Sequence, residues 1–100
     1  MNKSIEFSER FLNERDRAKA VCDLQELGCD AIGILKPILD GSAKNKFDVS
    51  YNKLGMPVSC SLIVIQRLGN LAKELEPFVQ EQMELGHSYA GDALSAIQNT

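Results

Sequence analysis

Apolar residues recur along this chain at helical spacing, interrupted by a handful of glycines. Ile5, Phe7, Phe11 and Leu12 predict a short helix beginning near Ser4, which is available as its N-cap, with Phe7 off the main stripe. Asn13, Glu14 and Asp16 read as a fresh helix start, a capping amide followed by acids where the helix dipole favours them. Ala18, Ala20, Val21, Leu24 and Leu27 then share one face, and Gly28 is placed to end that helix. From Asp30, the residues Ala31, Ile32, Leu35, Ile38 and Leu39 predict a second helix that closes at Asp40 and Gly41. Pro37 lies inside it, so the helix either kinks there or restarts with the proline in its first turn. Pro57 suits the first turn of a helix carrying Val58, Leu62, Ile65 and Leu68 and ending at Gly69. Another is expected from about Leu71 through Leu75, Phe78, Val79 and Met83 to Gly86, with Pro77 inside. A last helix carries Tyr89, Ala90, Ala93, Leu94 and Ile97, with Gln98, Asn99 and Thr100 expected to fray.

Residues 41–55 lack this periodicity and are dense in Gly, Ser and Asn, which predicts a long loop and the most mobile interior segment. Long loops in small domains often carry function. A β-hairpin competes for this region: Phe47 to Tyr51 alternates like a strand, Val58 to Ile65 is rich in β-branched residues, and Asn52 to Gly55 could turn between them.

An internal register decides against the hairpin. Leu27-Gly28 and Leu68-Gly69 are each preceded by an apolar residue three positions before the Leu (Leu24, Ile65) and a small one four before that (Ala20, Ser61). Each is followed by an alanine (Ala31, Ala72) and then by Leu-Lys-Pro-Ile-Leu (35–39) or Leu-Glu-Pro-Phe-Val (75–79). Ala90 and Leu94 repeat the spacing of Ala20 and Leu24. The step from Leu24 to Ile65 is 41 residues and that from Ile65 to Leu94 is 29, so the first unit carries an insertion about as long as the 41–55 loop.

With these positions the chain resembles the HEAT-like helical repeat family, in particular its short type found in phycobilin lyase-like proteins, over residues 14–97. Of the arginines that such proteins carry near a helix start, Arg17 is matched, whereas Val58 and His87 stand at the other two places. The resemblance implies an all-α fold, a right-handed stack of antiparallel helical hairpins. That is an α-solenoid fragment of about six helices forming a single domain over residues 1–100. The small residues Ala20, Ser61 and Ala90 are then the places where helices approach most closely.

Composition agrees with a chain that folds in water: hydrophobic residues make up 44% and charged residues 25%, neither low enough in the first nor high enough in the second for disorder. The longest apolar run, Leu62 to Ile65, is too short for a bilayer, and the first residues lack an apolar signal core, so a cytoplasmic location is expected. Cys22, Cys29 and Cys60 form no C-x-x-C pair and read as reduced packing residues. Charge is uneven, −2 over residues 1–40, +3 over 41–67 and −4 over 68–100. A nucleic-acid binder needs a cationic excess that only the middle segment could supply.

The chemical candidates are few. His87 is the sole histidine, and pairing it with Cys22 or Cys60 as a nucleophile would require a thiol to leave the apolar face. Glu81, Glu84 and His87 superficially resemble a metal set, but Gly86 is expected to end the helix between them. No phosphate-binding glycine pattern is present, and no metal or cofactor is expected. Lys44, Lys46, Phe47, Tyr51 and Lys53 combine cations with aromatics on one loop. Either Phe47 and Tyr51 fold back over the helices, or the loop contacts a partner. The sequence therefore points to a non-catalytic module that binds another protein. Its rivals are a nucleic-acid accessory acting through the 41–55 loop and a divergent helical-repeat enzyme of lyase or glycosylase type. Self-association as a dimer is expected through Tyr89, Leu94 and Ile97 on a poorly capped last helix.

Overall fold

The computed structural model describes residues 2–98. These residues are helical with no strand among them: α1 (Lys3–Leu12), α2 (Arg17–Leu27), α3 (Ile32–Asp40), α4 (Gly55–Leu68), α5 (Glu76–Glu84) and α6 (Ala90–Gln98). Tight 3-10 segments, Gly28–Ala31, Tyr51–Lys53 and Gly69–Leu75, link them. The β-hairpin alternative is gone, since Val58 to Ile65 lie within α4 and the only bridge left is an isolated pair, Lys44 with Ser50.

A side-chain cap sets the start of α1. Asn2, not Ser4, caps α1, its Oδ1 accepting from the Ser4 and Ile5 amides at 2.8 and 3.4 Å. Ser4 instead sits in the first turn, and its hydroxyl donates to the Ile34 carbonyl at 2.7 Å, tying α1 to α3. Phe7 is buried although it lies off the stripe, its ring tilted against that of Phe11 and beneath the Arg10 guanidinium. Pro37 falls inside α3, whereas Pro77 stands in the first turn of α5 and not within it, because the preceding stretch stays 3-10 through Leu75. Gln98 belongs to α6 and hydrogen-bonds Glu76 at 2.9 Å, while the expectation of fraying at Asn99 and Thr100 falls outside the described residues.

Helix α2 scarcely touches α3, and α4 scarcely touches α5. Contacts instead join α1 with α2, α3 with α4 and α5 with α6, so each Leu-Gly corner connects one pair to the next. The Gln98–Glu76 bond links the end of α6 to the start of α5, which makes that pair antiparallel. Across the pairs, α2 packs on α4 and α4 on α6, and α1 packs on α3 and α3 on α5. Ala20, Ser61 and Ala90, the small residues of α2, α4 and α6, have no exposed surface. Buried between the helices are Phe11, Leu24, Leu35, Ile38, Leu39, Leu62, Ile65 and Ile97.

Candidate interaction site

The 41–55 loop is stitched to the helices along most of its length. Gly41 takes the left-handed conformation, φ 87°, that ends α3, and the Asn52 amide nitrogen lies 2.8 Å from where a Cβ would stand. Asn52 also donates to the Leu39 carbonyl at 3.3 Å, and the Ser50 hydroxyl donates to the Gly41 carbonyl at 2.8 Å. The Ala43 amide donates to the Pro37 carbonyl and the Tyr51 amide to the Ala43 carbonyl, both at 3.0 Å.

Beyond these anchors the chain makes one turn, Asn45 to Asp48. The Asn45 side chain accepts from the Phe47 and Val49 amides at 2.8 and 3.1 Å, and its carbonyl accepts from the Asp48 amide at 3.0 Å. Asp48 closes the turn with φ 63°, a conformation that aspartate tolerates better than most residues. The tip is therefore a defined turn, and it holds Phe47 out: its side chain is 73% exposed, with the Lys46 ammonium 5.2 Å above the ring.

Tyr51 takes the opposite course. It is fully buried, and its hydroxyl donates to the Glu9 carboxylate of α1 at 2.5 Å. Burial is the main cause that pushes the phenol above its ordinary pKa, with the hydrogen bond to the Glu9 carboxylate adding to it. The structure thus separates the two aromatics, folding Tyr51 back and leaving Phe47 free. Tyr51 cannot be an exposed contact residue.

Between α1 and the tip lies a groove of about 420 Å³ lined by Ile5, Glu9, Leu12, Asn45, Lys46, Phe47 and Tyr51. Of the loop residues expected to bind a partner, Lys46, Phe47 and Tyr51 meet here, Tyr51 as part of the wall. Lys44 and Lys53 do not line it: Lys44 pairs with Asp48 at 3.6 Å, and Lys53 lies exposed on the following 3-10 turn. Leu12, 40% exposed, gives the groove its second apolar edge. Sequence reasoning missed Ile5, Glu9 and Leu12 as site residues because no spacing links α1 to a loop some forty residues on. The one available signal was chemical, a buried phenol that needs an acceptor.

The self-association set divides as well. Leu94 and Ile97 are buried at 8% and 1% exposure, because α6 packs on α4, α5 and the Gly69–Leu75 segment, and only Tyr89 remains on the surface. The last helix therefore does not carry the uncovered apolar face expected of it. Cys60 is buried as a packing residue, but Cys22 and Cys29 are exposed.

His87 meets Ser59 of α4, Nε2 to Oγ at 3.3 Å, while its Nδ1 accepts from the Tyr89 amide at 3.5 Å. Which of the two side chains donates across the Ser59 contact follows the imidazole tautomer. No carboxylate orients the ring in the manner of a triad. Among the described residues no group of three His, Cys, Asp or Glu side chains could hold a metal ion. Nor is any helix among them long and apolar enough to cross a membrane. Comparison of the chain with known protein families, curated sequences and solved structures finds no match.

Proposed function

We propose that this chain is a non-catalytic protein-binding module, a short stack of HEAT-like helical pairs that offers the 45–48 tip and the adjoining face of α1 to a partner protein. The observation that carries this reading is Phe47, a large aromatic left 73% exposed on a turn that its own hydrogen bonds hold in place. An anchor fixed before binding loses little conformational freedom on docking, which is how single aromatics come to dominate interfaces. The side-by-side arrangement of α2, α4 and α6 supports the stacked reading, because successive helices in such stacks bury their small residues against each other. The pairing of Lys44 with Asp48 lowers the net cation available to a phosphate backbone, which favours a protein over a nucleic acid.

Affinity purification from the source cell with the wild-type chain and with Phe47→Ala as baits tests the proposal. Phe47 supports no core contact, so the variant should keep its helical circular dichroism. A protein retained by the wild type and reduced about tenfold or more by the variant is the expected result. Retention that is indifferent to Phe47 would refute the site. Retained nucleic acid that elutes steeply with salt would favour the nucleic-acid accessory instead.

A further inference from the structure

A second trough, about 330 Å³, lies between α2 and α4. Val21, Cys60 and Ile63 give it an apolar lining, and Arg17, Arg67 and Glu14 stand around it. Burial pushes the Cys60 thiol up, so the trough offers no reactive thiolate there. Its arginines are the chemically distinctive part. Arg67 is exposed and donates only to the neutral Gln25 side chain at 3.3 Å, and Arg17 donates through Nε to the Phe11 carbonyl at 2.8 Å. Among the described residues neither has a carboxylate within salt-bridge distance. The matching occupant is therefore an apolar knob with carboxylates beside it.

The chain carries such a knob at the turn from α5 to α6. Met83, Leu85 and Tyr89 are 47%, 72% and 42% exposed within seven residues of one another, and Glu81 and Glu84 are exposed alongside them. Among the described residues nothing covers this turn, and the Glu81 and Glu84 carboxylates beside it are opposite in sign to Arg17 and Arg67 at the trough. We infer that two copies associate by seating the acidic α5–α6 turn of one in the arginine-flanked trough between α2 and α4 of the other. The trough and the turn are different surfaces; reciprocal exchange about a two-fold axis gives a closed pair, whereas a one-way contact would run on from copy to copy. This contact is separate from the 45–48 tip, and Phe47→Ala should leave it unchanged.

Sedimentation velocity on the full chain over a concentration series, at low and high salt, reads the association directly. The wild type should pass from monomer to dimer as concentration rises, and salt should oppose it. Arg67→Glu and Glu84→Arg both alter exposed side chains, so circular dichroism should report an intact fold. Each alone should move the midpoint to a concentration about tenfold higher or more. An equimolar mixture of the two should restore association, because each trough then faces a turn of opposite charge. A wild type that stays monomeric throughout, either variant associating like the wild type, or a folded mixture that fails to recover would each overturn the inference.

Discussion

Gly28 and Gly69 adopt φ 58°, ψ −126° and φ 59°, ψ −129°, yet the helices that end at them, α2 and α4, bury very different amounts of themselves. Three of the eleven residues of α2 are buried, against eight of the fourteen in α4. The corner is local, written in a Leu-Gly pair and a backbone conformation open only to glycine. Burial is not local. Helix α4 lies among α1, α2, α3 and α6 and reads as apolar nearly all round, whereas α2 has neighbours on one side and keeps a polar face. Residues 41 apart make the contrast concrete: Asp23 of α2 holds an ion pair with Arg10 at 2.7 Å, and its counterpart in α4 is Val64, with no exposed surface.

The two segments also leave their corners differently, and one residue decides it. Ala31 and Leu35 are four apart, Ala72 and Leu75 only three, and all four are fully buried. Four residues bring a side chain back to the same face of an α-helix, three to the same face of a 3-10 helix. The first segment accordingly becomes α-helical at Ile32, while the second stays 3-10 through Leu75, with Ala72 off helical geometry at φ −95°, ψ 18°. The prolines follow: Pro37 falls inside α3 and Pro77 at the start of α5, although both occur in the same Leu-x-Pro context.

The largest expected effect comes from exchanging the counterparts Val64 and Asp23. Val64→Asp places a carboxylate where no water or cation reaches it, costing about 4 kcal/mol or more. Val64→Ala, which keeps the site apolar, should cost about 2 kcal/mol and remain measurable by denaturant unfolding. The reverse change, Asp23→Val, should lower the melting temperature only slightly, because it removes a surface pair. Comparable losses from Val64→Asp and Asp23→Val would mean that α2 is as enclosed as α4.

Replacing either corner glycine by alanine comes next. No atom lies within 4 Å of a Cβ at Gly28, and the Ala96 carbonyl is at an ordinary contact distance of 3.5 Å at Gly69. The cost is then backbone strain alone, about 2 kcal/mol at both sites. Chemical denaturation of the two variants should give equal losses within error, and a clear inequality would show that the corners are alike in angle only.

What the sequence alone conveys is mostly local. The helices around Ala18 to Leu27 and Val58 to Leu68 were legible because their apolar spacing and closing glycines act within a few residues of each other. The register of the helical pairs was not, since whether α2 leans on α1 or on α3 depends on surfaces far apart in sequence. Of the candidate site, Lys46 and Phe47 were legible as cation and aromatic on a polar loop. The inward turn of Tyr51 was left open, because its acceptor Glu9 is on another helix, 42 residues away. Leu94 and Ile97 misled for the same reason: a wheel drawn on α6 alone cannot show which of its sides the other helices cover.

The prolines give a smaller effect with opposite signs. An alanine at 37 restores an amide that can donate to the Gly33 carbonyl within α3, which outweighs the freedom returned to the unfolded chain, so Pro37→Ala should stabilise by about 1 kcal/mol. Pro77 stands where its missing amide has no helical partner, and Pro77→Ala should destabilise by about 0.5 kcal/mol. Thermal melts of the two variants moving in the same direction would contradict the difference in helix start.

The smallest effect is one of acidity, and it belongs to α2 alone. The Asp23 carboxyl is held below its ordinary value of 3.8 chiefly by the hydrogen bond from Arg10, then by that from Lys19. A carboxyl whose folded pKa is depressed stabilises the fold above its unfolded pKa and loses that contribution as pH falls through the folded value. The melting temperature of the wild type should therefore drop below about pH 4 partly through this group. In Asp23→Asn that part of the drop is absent, so its curve should start slightly lower at neutral pH and converge on the wild type in acid. Added salt should shrink the gap at neutral pH, since the pair is at the surface. The equivalent position in α4 has no titrating group to remove, so Val64→Ala should run parallel to the wild type across the same range. A gap for Asp23→Asn that persists unchanged into acid would assign its cost to lost packing and take the ion pair out of the comparison.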